Sequence, residues 1–247
     1  MPSYNSDGLR LHYETAGSGP SLLCIHSATS TGSYEWDELT RNLSESFRVV
    51  KPDLRGHGES DHRSGQLALE LIEEDLRELI THESLGRPHL MGFSFGSEIA
   101  LRLALDYPGV AQSLILLSPG LGTVKKGAAA KAEVPSRETL ESRWPKGLRR
   151  LHAERHGPDH WIDIMQDLWV RHAERTLISL EDLQTLTIPM LLICGSDDDP
   201  RRLKQSRLFA ATNPLARHIE IEGGAHAVHK DHLEQVEPII AEFLSGL

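Results

Sequence analysis

Residues 92–96, Gly-Phe-Ser-Phe-Gly, constrain this chain more than any other part of its sequence. The apolar run 88–91 before them predicts a buried strand, and residues 98–107 after them have a helical pattern that stops at Pro108. A strand, a tight turn and a helix in this order hold the serine of a G-x-S-x-G pattern in a strained conformation at a sheet edge. The flanking glycines let strand and helix approach closely, and the helix N-terminus turns free N–H groups toward the same spot. We therefore predict that Ser94 is a nucleophile and not an incidental turn residue.

Strand and helix patterns alternate along most of the chain. Such alternation predicts a mainly parallel sheet that is covered by helices on both faces. Residues 122–182 interrupt this alternation, because their patterns are helical. We expect them to form a helical insertion at the carboxyl edge of the sheet, and residues 1–121 and 183–247 to form the core. The predicted strands lie at 9–15, 21–25, 47–50, 88–93, 112–117, 188–194 and 217–221, and the predicted helices of the core lie at 34–43, 67–85, 95–107, 200–211 and 229–244.

Composition limits the class of protein and its partners. A chain of 247 residues suits one domain that carries an insertion, and the net charge of -10 argues against nucleic acid and anionic membranes as partners. No apolar stretch is long enough to span a membrane, and the N-terminus lacks a signal-peptide pattern, so we expect a cytoplasmic location. Cys24 and Cys194 lie in apolar, strand-like runs, which favours buried free thiols in a reducing compartment over a disulfide between them.

A nucleophilic serine needs a histidine base and a carboxylate that orients the base. In a strand–helix sheet, such groups follow the carboxyl ends of strands. Three aspartates, 197–199, follow the predicted strand 188–194. Asp199 is placed to cap the next helix, with Pro200 as the first helical residue. We therefore predict that Asp198 is the catalytic acid, with Asp197 as the second choice.

The predicted base is His226, which follows a glycine-rich turn after the last predicted strand. His229 and His232 lie three and six residues further on, and a helix would place all three histidines along one side. That spacing raises a metal site as an alternative. No neighbouring cysteine or carboxylate pattern completes such a site, so we expect no metal and a solvated or capping role for His229 and His232.

The chain order of the predicted serine, aspartate and histidine resembles that of the α/β-hydrolase superfamily, and the resemblance extends over essentially the whole chain. The chain looks like the small bacterial members that carry a helical lid. Residues 53–60, Asp-Leu-Arg-Gly-His-Gly-Glu-Ser, are similar to a loop common among them. Residues 195–198 resemble their G-x-x-D acid turn, and residues 224–229 resemble their histidine loop. His26 and Ser27 stand where the family usually has His-Gly.

The resemblance implies an α/β-hydrolase fold and an oxyanion hole made of two backbone N–H groups, those of Ala28 and Phe95. Ser27 and Ser97 replace glycines that are usual in the family. A serine nucleophile makes a dehalogenase or an epoxide hydrolase an unlikely match, because those relatives attack with a carboxylate. It favours acyl chemistry on an ester, thioester or lactone, and it requires no cofactor.

We therefore expect a serine hydrolase that acts on a small-molecule acyl substrate. Trp144, Trp161 and Trp169 lie in the insertion, and we expect Trp161, Trp169 and Ser27 to contact the substrate. The alternative for the tryptophans is packing of the lid onto the core. Other functions that the sequence leaves open are carbon–carbon bond hydrolysis of a vinylogous diketone, acyl transfer, and non-catalytic ligand reception on the same fold.

Overall fold

The computed structural model describes residues 1–63, 65–120, 134–143, 150–173 and 178–247. Within these residues, eight strands form one sheet in the order β1-β2-β4-β3-β5-β6-β7-β8. The first two strands pair antiparallel, and β2 pairs antiparallel with β4, whereas all later neighbours are parallel. The strands are Ser3–Ser6 (β1), Leu9–Ala16 (β2), Ser21–Ile25 (β3), Arg48–Pro52 (β4), His89–Phe93 (β5), Ser113–Leu117 (β6), Met190–Gly195 (β7) and Ala216–Ile221 (β8).

The core lies on both faces of this sheet. Successive residues of the buried strands belong to two different apolar clusters, so that Leu114 and Leu116 of β6 face one cluster and Ile115 and Leu117 face the other. This follows from the two-residue period of a strand, and a strand buried on both faces reads as a continuous apolar run. The mainly parallel sheet that the sequence predicts is therefore confirmed, together with the α/β-hydrolase fold.

Helices cover the two faces of the sheet. In the described part of the chain they are Gly32–Leu43 (α1), Leu69–His82 (α2), Phe95–Asp106 (α3), Arg137–Arg143 (α4), Ala153–His156 (α5), His160–Ala173 (α6), Leu180–Gln184 (α7), Pro200–Thr212 (α8), Val228–Asp231 (α9) and Leu233–Ser245 (α10). α1 and α10 supply apolar residues to one cluster, and α2 and α3 supply them to the other. Between β6 and β7 the described residues form the helices α4 to α7 and no strand. Trp144 lies outside the described residues.

Two elements differ from the expectation. β1 was not predicted, because its four residues, Ser-Tyr-Asn-Ser, are too few and too polar to show a pattern, and it forms the antiparallel edge of the sheet. The expected closing helix 229–244 is two helices, since His232 between α9 and α10 has φ -131° and ψ 41°, outside the helical region. The apolar period continues across this break, and therefore hides it in the sequence.

Candidate active site

Ser94 lies between the end of β5 and the start of α3. Its backbone has φ 53° and ψ -110°, a combination that an L-residue adopts only under strain. The flanking glycines are needed here, since a Cβ at Gly92 would lie 2.3 Å from the carbonyl oxygen of Gly96. A Cβ at Gly96 would lie 2.1 Å from that of Ile25. The backbones of β5, α3 and the neighbouring β3 are thus in direct contact at this turn. The Ser94 side chain therefore projects out of the sheet.

The structure brings Ser94, His226 and Asp198 together from three loops. His226 Nε2 lies 3.1 Å from Ser94 Oγ, and His226 Nδ1 lies 3.1 and 3.0 Å from the two carboxylate oxygens of Asp198. His226, Ser94 and Asp198 follow β8, β5 and β7, respectively. The carboxyl ends of these parallel strands lie at one edge of the sheet, where the side chains that follow them meet. The Asp198 side chain is 4% exposed and the His226 side chain 41%, so the acid is screened from water while the base is open to a substrate.

The three consecutive aspartates have three different environments. Asp198 contacts His226 and also accepts a 2.7 Å hydrogen bond from the Asp199 amide. Asp199 caps α8, because its Oδ1 accepts a hydrogen bond of 2.8 Å from the Arg201 amide, which confirms the predicted cap. Asp197 is paired with Ser196 at the surface. Burial raises the pKa of Asp198, but the hydrogen bond and the charge of His226 outweigh burial and hold that pKa below its usual value.

The oxyanion loop, which we define as residues 26–30, places the amide of Ala28. Leu54 N–H donates to His26 Nε2 at 3.0 Å, so the proton of the neutral ring sits on Nδ1, which donates to the Ser27 carbonyl at 2.7 Å. Ser27 C=O and Ala28 N–H belong to one trans peptide and point in opposite directions. The amide of Ala28 therefore faces away from His26. Among the described residues, neither this amide nor that of Phe95 donates a hydrogen bond to another group.

Further histidines fix the same loop and were not singled out from the sequence. His57 Nε2 lies 3.0 Å from the Ala28 carbonyl oxygen, and His152 Nε2 lies 3.2 Å from that of Thr29. His152 Nδ1 in turn accepts a 3.0 Å bond from the Gly58 amide. Burial lowers the pKa of His57 to about 4 and that of His152 to about 2, so both rings are neutral at pH 7. With fourteen histidines in the chain, residue type alone could not have identified them.

Ser118 binds the main chain of His226 and was also missed. Its hydroxyl donates a 2.7 Å hydrogen bond to the carbonyl oxygen of His226, and its own φ of 43° marks a constrained turn. The signal that could have found it is its position, directly after the buried strand β6 at the carboxyl edge of the sheet.

The residues expected to contact a substrate have different surroundings. The Ser27 hydroxyl donates to Glu35 at 2.7 Å, so it is engaged with the protein. Trp161 is buried in a small apolar cluster of α4 and α6, against which Ala28 of the oxyanion loop packs. Trp169 is half-buried, and its indole Nε1 has no hydrogen-bond partner among the described residues. Contact of Trp161, Trp169 and Ser27 with a substrate stays a prediction.

The histidines that follow His226 do not act with it as a set. His229 is buried and its Nε2 lies 3.1 Å from Glu35, so the expected solvated or capping role of His229 is wrong. The error arose because the sequence gives no sign that an acid on α1 reaches this loop. His232 is partly exposed and bonds to Gln235. Over the described residues, no group of three or more His, Cys, Asp or Glu side chains is arranged to hold a metal ion.

Cys24 and Cys194 are both buried and free, as predicted. Burial raises the pKa of both thiols, that of Cys194 to about 11, so they are inert at neutral pH. Among the described helices, none is both long enough and apolar enough to cross a membrane.

Comparison with known proteins identifies the family of this chain. The model of the family described as "Alpha/beta hydrolase family" matches residues 22–239. A soluble epoxide hydrolase from Corynebacterium sp. (strain C12) is 33% identical over 121 residues, which are 49% of this chain and 42% of that protein. A pimeloyl-(acyl-carrier protein) methyl ester esterase from Nitrosomonas europaea is 36% identical over 108 residues, 44% of this chain and 40% of that protein. The chain thus spans less than half the length of these curated relatives.

The fold is shared over the full length with solved structures. The enol-lactonase from Burkholderia xenovorans LB400 superposes with a TM-score of 0.79 at 21% identity, covering 99% of this chain and 100% of that one. At this identity the likeness concerns the fold, and the chemistry of the site has to be argued from its own residues.

Proposed function

We propose that this chain, which belongs to the alpha/beta hydrolase family, is a hydrolase that cleaves a carboxylic ester, thioester or lactone of a small molecule through an acyl-enzyme intermediate on Ser94. The observation that carries the proposal is the continuous hydrogen-bonded series from Ser94 Oγ through His226 to Asp198. A serine in this arrangement is activated by the neighbouring base and needs no cofactor.

In acylation, His226 Nε2 takes the hydroxyl proton as Ser94 Oγ bonds to the acyl carbon. Asp198 accepts a hydrogen bond from His226 Nδ1–H throughout, which fixes the tautomer and stabilises the imidazolium that forms. The lowered pKa of Asp198 keeps it ionised for this role. The tetrahedral intermediate collapses when His226 returns the proton to the leaving oxygen or sulfur. Water, deprotonated by the same histidine, then attacks the acyl carbon and releases the acid.

The negative charge of each tetrahedral intermediate rests on the amides of Ala28 and Phe95. Phe95 is the first residue of α3, where N–H groups are free and the helix dipole favours an anion. The hydrogen bond from His26 Nδ1–H to the Ser27 carbonyl, which belongs to the same peptide as the Ala28 amide, supports a fixed donor at Ala28. Fixed donors need no reorganisation as charge develops, and one such donor contributes ~3 kcal/mol of transition-state stabilisation.

We propose further that residues 122–182 form a lid over this site, on a core of residues 1–121 and 183–247. The contact of Ala28 with the cluster of Trp161 supports this, because it brings α6 to the oxyanion loop. Bonds from His152 to Gly58 and Thr29 support it at a second place. The apolar lining that Trp161 would supply favours an apolar acyl group. The buried free thiols favour a cytoplasmic location.

The test is replacement of the nucleophile and the base. Ser94→Ala and His226→Ala should each lower kcat toward chromogenic esters by ~10⁴, and the double variant should lose barely more, because the residues act as a unit. His232→Ala, a change of a partly exposed histidine six residues on, serves as the matched control and should keep full activity. Additive losses, or unchanged fluorophosphonate labelling in Ser94→Ala, would contradict the mechanism. Turnover of a vinylogous diketone in preference to every ester, or capture of the acyl group by an added alcohol, would reassign the reaction.

A further inference from the structure

Glu35 is a buried acid on the inner face of α1, among apolar residues that cover the sheet. Its side chain is 3% exposed. A carboxylate in such a place is stable only where donors replace its lost hydration. Burial would raise the pKa of Glu35, but the hydrogen bond and charge of His229, with Lys230 and Ser27, lower it well below its usual value. The group is therefore a buried anion at every pH at which the protein would work.

The donors come from two separate loops of the proposed machinery. From the oxyanion loop, Ser27 donates its amide at 3.3 Å and its hydroxyl at 2.7 Å. From the loop that carries the base, His229 Nε2 lies at 3.1 Å and Lys230 Nζ at 3.2 Å. Glu35 is thus a bridge between residues that directly precede the Ala28 amide and residues that follow His226 within one helical turn.

Three rings in contact complete the connection on the side of the base. The Phe93 ring lies 5.0 Å from that of His226 and 4.4 Å from that of His229, measured between ring centroids. Phe93 directly precedes Ser94. A shift of His229 away from Glu35 would therefore be transmitted through a packed aromatic ring to both the base and the nucleophile.

On the other side, Ser27 is held at both of its peptide groups. Its amide donates to Glu35 and its carbonyl accepts from His26 at 2.7 Å. Fixing both peptides of one residue leaves little freedom in its φ and ψ, and the orientation of the next amide, that of Ala28, follows. This gives the Ser27 hydroxyl a role in the protein, because a glycine here would lose the 2.7 Å bond to Glu35.

We propose that Glu35 is a positioning residue. By binding Ser27 and His229 at once, it holds the Ala28 amide and His226 in their positions relative to each other. The inference rests on the proposed hydrolytic function of the site. Glu35 itself touches no reacting atom. Its effect is expected in the transition state, where charge reaches the oxyanion hole, and only weakly in substrate binding. A pocket of about 190 Å³ reaches the bridge from the surface and is lined by Tyr34, Glu35, Glu38, Leu39, His229 and Lys230.

The pocket makes a chemical test possible. Glu35→Ala should lower kcat about 10- to 100-fold with KM nearly unchanged, on the scale of one misplaced oxyanion donor. Added formate is small enough to enter the pocket, and it should restore part of kcat in Glu35→Ala while leaving the native protein and Ser94→Ala unaffected. Glu38 lines the same pocket, and among the described residues no hydrogen bond or ion pair joins it to either loop; Glu38→Ala should therefore keep native kcat with no response to formate.

A second pair of variants serves if Glu35→Ala fails to fold. His229→Phe keeps a ring but has no donor, whereas His229→Gln offers an amide N–H to Glu35. We expect kcat to fall at least about tenfold further in His229→Phe than in His229→Gln, at equal KM. Equal kcat in the two, or native kcat in a folded Glu35→Ala, would overturn the inference. A higher KM with unchanged kcat would make Glu35 a substrate contact, and would overturn the inference as well. If Ser94→Ala keeps its activity in the same assays, the proposed function itself has failed.

Discussion

Three buried histidines, His26, His57 and His152, lie in a row beside the oxyanion loop. Their ring centroids are 4.9 and 5.3 Å apart, and none of the residues is more than 1% exposed. Burial lowers the pKa to about 3 for His26, about 4 for His57 and about 2 for His152. In the unfolded chain each ring titrates near pH 6.5. As the pH falls through 6.5, these histidines bind protons in the unfolded chain but stay neutral in the folded protein. The free energy of unfolding therefore decreases.

Between pH 7 and pH 5 this linkage removes about 2 kcal/mol of unfolding free energy for each such histidine. His152→Asn removes one of the three groups, while an Asn side chain still offers an acceptor to the Gly58 amide. The variant loses stability at pH 7, because the bond to the Thr29 carbonyl is gone. Its stability should nevertheless depend less on pH, so its deficit relative to the native protein should shrink by about 2 kcal/mol at pH 5.

Urea unfolding at pH 7, 6 and 5, followed by tryptophan fluorescence, measures this difference directly. The native protein, measured in parallel at each pH, is the reference from which the deficit is taken. A deficit of His152→Asn that is the same at all three pH values would refute the argument. It would mean that His152 is not held neutral by burial against the oxyanion loop.

Three further expectations concern the elbow, the acid and the lid. Gly96→Ala should abolish activity and lower stability, seen in labelling of Ser94 and in Tm, because the new Cβ would lie 2.1 Å from a backbone oxygen; a native Tm would contradict it. Asp198→Asn should reduce kcat by about 10⁴, whereas Asp199→Ala should mainly lower the free energy of unfolding, because α8 loses its cap; the reverse pattern of kcat losses would show that the acid is misassigned. Trp161→Ala should change the ratio of kcat/KM between long and short acyl esters by about tenfold, and an equal loss for all chain lengths with a lower Tm would mean that Trp161 only packs the lid.

The sequence by itself determined those features that depend on neighbouring residues. The strained turn at Ser94 needs small residues two positions away on either side, and both positions are glycines in the sequence. The cap of α8 by Asp199 reads directly from an aspartate followed by proline, which left Asp198 for the base. The buried strands show as apolar runs because burial on both faces removes the polar alternation. Each of these signals is local, so a single sequence contains it.

Tertiary structure decided what joins these local features. Glu35 and His229 are 194 positions apart, and His152 meets Gly58 across 94 positions. The periodicity of the sequence does not predict such pairs, because the partner of a polar side chain on a buried face is set only when the opposing loop packs against it. The same reason explains why His229 was predicted to have a solvated or capping role. The sequence thus determined the buried strands and the strained turn that carries Ser94, and packing alone decided how the loops around that serine are held.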